Sequence, residues 1–278
     1  MPELPEVERG RRLADRVAAG RTITRVRCAD DRIVFDGVSP ATVRRTLVGR
    51  TVVAACRHGK QLWFELDRAP HPLFHFGMTG AFRSPDEAPL KLASSRRVQD
   101  PGWPPRFAKI HLRFDDGGEL VMTNARRLGR IRLRESPREE PPIADLGFDP
   151  LLALPSSRAF GALLTARSAP VKAVLLDQSF AAGVGNWIAD EVLYQSGLDP
   201  RRRSNTLSVE EVRALRRALK RVVEGAVRVN GEKARFPKQW LFHRRWGKAA
   251  DATTVKGERI AFVEVGGRTT AWVPEVQR

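Results

Sequence analysis

The sequence predicts an α+β protein of two domains, β-rich first and helical second, closing on a short β-hairpin. Three observations carry this. Short alternating runs bounded by turn residues recur between Thr22 and Arg134. From Leu151 the apolar spacing changes to the period of helices. Between them, Glu135–Pro142 is polar and holds Pro137, Pro141 and Pro142, the composition of a linker. The first domain is therefore assigned to 1–134, the linker to 135–150, the helical domain to 151–235 and the terminal hairpin segment to 236–278.

In chain order, Pro5–Ala19 reads as a helix with Val7, Ala14, Val17 and Ala18 on one face and Gly20 ending it. Strand-like runs follow at Thr22–Cys28, Arg32–Val38, Arg50–Cys56, Gln61–Leu66, Leu73–Met78, Lys109–Phe114, Glu119–Thr123 and Gly129–Arg134. A helix at Pro40–Leu47 interrupts them, and Asp115-Asp116-Gly117-Gly118 is a hairpin turn. Strands spaced this regularly suggest a β-sandwich or barrel. Ser84–Pro105, rich in Pro, Ser and Arg, reads as a long mobile loop.

In the second half, Ser157–Thr165 and Val171–Asp177 read as helices. Asn186 is placed as the N-cap of Trp187–Ser196, which Gly197 and Pro200 terminate. Ser208 and Glu211 form a capping box for a helix reaching about Val229, with Val212, Leu215, Leu219, Val222 and Ala226 as its buried face. The remainder returns to short strands around a Gly266-Gly267 turn.

Charge narrows the function. Lys and Arg number 49 against 32 Asp and Glu, a net +17 with a pI near 11.1. Such an excess favours a polyanionic partner. No apolar run approaches the ~20 residues of a membrane helix, and the acidic start is wrong for a signal peptide. Two cysteines, Cys28 and Cys56, fall short of a disulfide framework or a four-cysteine metal site.

The chemistry begins at Met1-Pro2-Glu3-Leu4-Pro5-Glu6. With Met1 removed, Pro2 supplies a secondary amine, a nucleophile that forms Schiff bases with sugar aldehydes. Glu3 beside it is a candidate acid or base, and the following helix N-terminus disfavours a protonated amine. Gly183-Val184-Gly185-Asn186 enters another helix, and its backbone N–H groups are candidates to hold a phosphate. Arg57-His58-Gly59-Lys60 offers a lysine at a strand-entry turn. Met78 between Gly77 and Gly80, and Arg126-Arg127-Leu128-Gly129, are exposed-looking turns with apolar tips that could enter a base stack. Arg201-Arg202-Arg203 adds to the general positive field.

In their order and spacing these motifs resemble the formamidopyrimidine-DNA glycosylase/endonuclease VIII family of base-excision repair enzymes. The resemblance runs through Pro2-Glu-Leu-Pro-Glu-Val-Glu8, His58-Gly-Lys60, Phe76-Gly-Met-Thr-Gly80, Arg126-Arg-Leu-Gly129, Gly183-Val-Gly-Asn186 to Pro200, and Gly267-Arg-Thr-Thr270. It implies an N-terminal β-sandwich with a leading helix and a C-terminal helix–two-turn–helix domain, with DNA in the cleft between them. It also implies a bifunctional reaction: a damaged base is flipped out and excised, then the strand is nicked by β- and δ-elimination through a Pro2 Schiff base.

Residue by residue, the resemblance makes Pro2 the nucleophile, Glu3 the acid on the opening deoxyribose, Glu6 a supporting carboxylate and Lys60 the hairpin lysine that assists elimination. Met78, Arg126 and Leu128 correspond to the residues that fill the gap left by the flipped base. Leu128 stands where family members often have phenylalanine. Asn186 and Lys172 correspond to phosphate-side residues, and Lys109 and Arg167 fall near other DNA contacts. The implied partner is double-stranded DNA with oxidised bases or abasic sites, bound by a monomer located with DNA in the cytoplasm, or in the nucleus if the source is eukaryotic.

Two departures qualify the likeness. Most bacterial members end in a four-cysteine zinc finger, whereas this chain has Val273 and Val276 in that frame and no cysteine in Lys256–Val265. The expected finger is a zincless hairpin of the plant and fungal type, needing no cofactor, packed by Ile260, Phe262, Val265, Trp272 and Val273. Arg268 then corresponds to the finger arginine that binds phosphates around the lesion and assists the second elimination. Arg228–Lys238 is short where many members carry a loop that caps 8-oxoguanine. The expected substrates are therefore formamidopyrimidines, hydantoins and abasic sites, with 8-oxoguanine poorer. The rival is a protein that binds damaged DNA without chemistry. The charge and the Asn186 turn fit it equally, but it has no need of a free N-terminal proline.

Overall fold

The computed structural model describes residues 2–87 and 102–278, and these form two compact units divided between Asp145 and Leu146. Met1 and positions 88–101, most of the expected long loop, lie outside the described residues.

In the first unit, helix α1 (Leu4–Ala18) precedes β1 (Ile23–Cys28) and α2 (Pro40–Leu47), followed by β2 (Val52–His58), β3 (Gln61–Leu66), β4 (His71–His75), β5 (Ala81–Arg83), β6 (Ala108–Phe114), β7 (Glu119–Thr123) and β8 (Arg130–Arg134). The strands make two four-stranded antiparallel sheets, ordered β1-β6-β7-β5 and β2-β3-β4-β8. The inward apolar residues of both sheets, with Val7, Leu13 and Ala14 of α1 and Val43 and Leu47 of α2, are one core, while Trp63 and Leu73, beside core residues on β3 and β4, pack with Ile143 in a smaller cluster. Phe64, Phe74, Phe76 and Phe82 pack at its centre with ring centroids 5.0–5.7 Å apart.

Gly10 sets how closely α1 approaches those rings. A Cβ there would lie 2.7 Å from Phe76 Cε2, so only glycine lets Phe76 pack against the helix backbone. Phe76 in turn anchors the loop that carries Met78.

Two strand expectations need correction, and one strand was not expected. Arg32–Val38 is a turn. Asp31 Oδ1 accepts from Ile33 N (3.2 Å) and Val34 N (3.3 Å), and this local bonding outcompetes a ladder. Leu73–Met78 begins earlier and stops at His75, because Gly77 takes φ +60°. The short β5 escaped the sequence reading, its three residues being too few to show a period.

The second unit holds α3 (Ser157–Thr165), α4 (Val171–Leu176), α5 (Asn186–Ser196), α6 (Val209–Arg228) and the antiparallel hairpin β9 (Ala261–Val265) and β10 (Arg268–Trp272). The Ser208–Glu211 capping box starts α6, and all five residues of its expected face are buried. Gly197 at φ +72° ends α5. Gly185 is the N-cap of α5, not Asn186. Asn186 is already helical, and its amide reaches Thr269 O (2.9 Å) instead of the helix's own N–H groups.

The hairpin packs through Ile260, Ala271 and Val273 with Phe262 and Val276 beside them, onto Leu241 and Tyr194. Val265 is buried, while Trp272 is partly exposed and carries the Arg201 guanidinium 4.4 Å above its ring. Among the described residues no helix is long and apolar enough to cross a membrane.

Candidate active site

Pro2 is buried immediately ahead of α1, and Glu3 is the N-cap. Glu3 and Glu6 form a reciprocal box: the Glu6 N–H donates to the Glu3 side chain, and the Glu3 N–H donates to Glu6 Oε2 at 3.0 Å. Pro5 in the first turn fixes φ, so the backbone leading back to Pro2 is held by hydrogen bonds and ring geometry together. Both carboxylates are almost fully buried at a helix N-terminus, which favours negative charge.

One turn on, Glu8 is buried and receives Arg57 Nε at 3.0 Å and Arg11 and Arg12 at 3.1 Å. Burial raises its carboxyl pKa, but hydrogen bonds from Arg11 and Arg57 outweigh this and hold it below the ordinary value. Arg57, fully buried at the side chain, also donates to Gly59 O at 3.0 Å. This pair therefore ties α1 to the β2–β3 turn whose next residue is Lys60. In sequence, Glu8 is only the last residue of the N-terminal motif and Arg57 only opens the turn that offers Lys60. The two lie 49 positions apart, and no local pattern announces the pairing.

His75, opposite Gln61 in the β3–β4 ladder, is pulled down to about 4, first by burial and then by Lys60, Arg132 and Arg130. It is neutral at pH 7 and accepts the Gly77 N–H at Nδ1 (3.2 Å). Lys60 and Arg130 thus lie at the same end of this sheet, while Arg132, paired to Asp36, sits two residues further along β8.

Met78 and Leu128 are exposed although apolar, at 38% and 42%, and Arg126 is exposed too. Their loops are adjoined by one buried side chain. Asn124 Nδ2 donates to Phe76 O (2.8 Å), and Asn124 Oδ1 accepts from Gly129 N (3.1 Å). Gly77 fits against this junction: a Cβ there would lie 2.4 Å from the Leu128 carbonyl carbon and oxygen. The structure therefore brings Met78, Arg126 and Leu128 to one rim.

Arg127 has φ +55° and turns away from them, to Asp31 at 3.1 Å. Lys109 also binds Asp31, at 2.7 Å, so this expected DNA contact has its ammonium on a carboxylate and is mostly buried. Burial would raise Asp31, but Lys109 and Arg127 bring it to about 2. Asn124 and Asp31 were both missed, because the bonds of Asn124 to Phe76 and of Asp31 to Lys109 and Arg127 span 48, 78 and 96 positions.

In the second unit, Gly183 N donates to Gln178 Oε1 (3.1 Å) and Val184 N to Ala181 O (3.3 Å). These two N–H groups, expected to face a phosphate, are engaged within the turn. Asn186 remains, partly exposed, with one amide proton on Thr269 O. Arg268 is exposed on β10, next to Thr269, so Asn186 and Arg268 are neighbours through the hairpin backbone.

Lys172 corrects the expectation for it. It is completely buried, 2.6 Å from Asp190 Oδ1 and 2.7 Å from Thr270 Oγ1, so its ammonium is out of reach of a phosphate. Arg167 is partly exposed, donates to Leu163 O (2.8 Å) and lies 5.1 Å above the Phe180 ring. Of the arginine run, Arg201 pairs with Asp199 and Arg202 with Glu211, which tempers its part in the field. Among the described residues, no group of three or more His, Cys, Asp or Glu could hold a metal ion.

Known protein families match the chain in both of its units. Residues 1–131 match the model of the formamidopyrimidine-DNA glycosylase N-terminal domain, and residues 146–238 match that of the formamidopyrimidine-DNA glycosylase H2TH domain. An Arabidopsis thaliana protein named formamidopyrimidine-DNA glycosylase is 42% identical over the whole chain and 71% of its own length. One of the same name from Paracoccus denitrificans is 34% identical over 86% of this chain and 83% of its own. The fold is shared with a Lactococcus lactis formamidopyrimidine-DNA glycosylase solved with DNA containing an abasic site, at TM-score 0.79, 23% identity and 99% coverage of both chains.

Proposed function

The chain belongs to the formamidopyrimidine-DNA glycosylase family, and from that membership we propose that it excises oxidised bases and then nicks the strand through a Schiff base on Pro2. The observation that carries the reading is the buried start of α1, where Pro2 precedes the reciprocal Glu3–Glu6 box and Glu8–Arg57 latches the Lys60 turn.

With Met1 removed, the Pro2 amine attacks C1′ as the base departs, and the sugar ring opens with a proton from Glu3. The resulting iminium acidifies the C2′ protons. Loss of one of them expels the 3′ phosphate, and a second elimination expels the 5′ phosphate. Lys60 and Arg268 stabilise the charge of the departing phosphates. Flipping the nucleotide costs a few kcal/mol, least at a damaged pair, and Met78, Arg126 and Leu128 offset part of it by filling the gap. Asn186 and Arg268 hold phosphates of the lesion strand.

The same reading leaves zinc out. Val273 and Val276 occupy the finger frame, and Val273 is fully buried in an apolar cluster that holds the hairpin without thiolates. Formamidopyrimidines, hydantoins and abasic sites are the proposed substrates. After α6 the chain folds back at once through Asn230 and Gly231, both at positive φ, and a 3-10 turn at Lys233–Arg235, which leaves little chain to cap 8-oxoguanine.

Borohydride trapping on a duplex with one abasic site tests the proposal. A covalent adduct mapped to Pro2 is expected. Tight binding without an adduct would replace the enzyme reading with that of a damaged-DNA-binding protein. Excision of 8-oxoguanine as fast as of formamidopyrimidine would overturn the substrate preference alone.

A further inference from the structure

Beneath Asn186 and Arg268 lies one buried carboxylate that the reaction does not use. Asp190 is on α5, one helical turn past Asn186, and is fully buried. Its Oδ2 accepts from Arg245 Nε (3.1 Å), Arg245 Nη2 (2.5 Å) and the Ala271 N–H (3.1 Å). Its Oδ1 is the ion-pair partner of Lys172.

Both cations reach onward to the candidate phosphate ligands. Lys172 Nζ donates to Thr270 Oγ1 (2.7 Å) and Thr269 O (3.3 Å), and Thr269 O also receives the Asn186 amide. Arg245 Nη2 donates to Asn186 O at 3.4 Å. Three successive residues of β10, Thr269 to Ala271, are thus bonded by Lys172 and Asp190, while Arg245 ties the same carboxylate to Asn186, and the next residue back on β10 is Arg268. Two buried cations around one carboxylate hold only while that carboxylate is charged, since removing it leaves both uncompensated.

We propose that Asp190 is a positioning residue for DNA binding: its charge, shared by Lys172 and Arg245, sets the register of β10 on α5 and so the placement of Arg268 beside Asn186. The hairpin has no thiolates for a metal to gather, and this ionic strut does the gathering. The inference rests on the reading of Asn186 and Arg268 as phosphate ligands.

The test measures binding of an abasic-site duplex against salt for Asp190→Asn, Arg268→Ala and the double variant. Asparagine keeps the shape and an acceptor for Ala271 but removes the charge. Loss of one phosphate contact lowers the slope of log K against log salt by about one and weakens binding ~10-fold. Asp190→Asn and Arg268→Ala should each do this, and the double variant should be no worse than either, because both act through one contact. Trapping at saturating DNA should still label Pro2.

A lower Tm with an unchanged slope, or additive losses in the double variant, would reduce Asp190 to a packing role. If Arg268→Ala leaves the slope unchanged, the phosphate reading fails and the proposal falls with it. If Arg268→Ala lowers the slope and Asp190→Asn does not, the proposal alone falls. Should Asp190→Asn not fold, Thr270→Val removes the Lys172 acceptor while sparing the ion pairs, and a smaller slope loss in the same direction is required.

Discussion

Arg57 binds Glu8 at 3.0 Å with its own side chain fully buried, and so joins the second turn of α1 to the β-turn that presents Lys60. The pair is buried, so removing one partner strands the other. Arg57→Met should cost ~3–5 kcal/mol in urea unfolding of the first unit. It should also slow borohydride trapping at saturating DNA, because the Lys60 turn loses its tie to the helix bearing Pro2. Lys60→Met should slow elimination with little change in stability, its side chain being partly exposed. Equal stability losses in both variants would contradict this division of labour.

Gly77 makes a similar prediction for the rim of Met78 and Leu128. Gly77→Ala combines a left-handed φ of +60° with a Cβ 2.4 Å from the Leu128 carbonyl. The loops must part, at ~1–3 kcal/mol for the strained backbone and more for the clash. Binding of abasic duplexes should weaken, and the fluorescence of 2-aminopurine opposite the lesion should show less unstacking than with the native chain. Unchanged fluorescence would remove Met78 and Leu128 from the gap-filling role.

Asp31 holds Arg127 turned away from Arg126 and Leu128. Asp31→Asn should free Arg127 and Lys109, increase affinity for undamaged duplex through the released cations, and reduce the preference among bases opposite the lesion. Comparing kcat/KM for the four opposite bases checks this. A preserved ratio would show that Arg127 does not govern the rim. Asp31 also contributes stability above its ordinary 3.8 that is lost as pH falls through about 2, and the asparagine variant should lack that acid-sensitive part.

Glu191 gives the opposite pH dependence. Burial raises it to about 7 from 4.5, against hydrogen bonds from Gln195 and the Phe242 N–H and the nearby Arg245 charge, with Asp190 adding to the rise. The folded state keeps this proton while the unfolded chain loses it, so its contribution is full below 4.5 and declines as pH rises to about 7. The span is ~3 kcal/mol at 1.36 kcal/mol per unit. His75, pulled down to about 4, raises stability with pH over much of the same range, but it belongs to the first unit. The difference between native chain and Glu191→Gln, followed on unfolding of the second unit between pH 4.5 and 7, isolates the effect. A constant difference would mean that Glu191 is ionised when folded.

Much of this protein was legible in its sequence wherever the signal was local. The capping box at Ser208, the apolar face of α6, the Asp116-Gly117 hairpin and the bounds of Pro40–Leu47 and Ser157–Thr165 follow from period, caps and turns within a few residues. The motifs at Pro2, Lys60, Met78, Asn186 and Arg268 were visible for the same reason, as short strings of residues. Tertiary structure decided what those strings touch. It showed that Lys172 faces Asp190 and Thr270 across 18 and 98 positions, that Arg57 finds Glu8, and that Asn124 clasps two loops. Ion pairs and buried amides have no period, because their partners are chosen by proximity after folding. A charged residue reads the same in sequence whether it meets solvent, DNA or another buried charge.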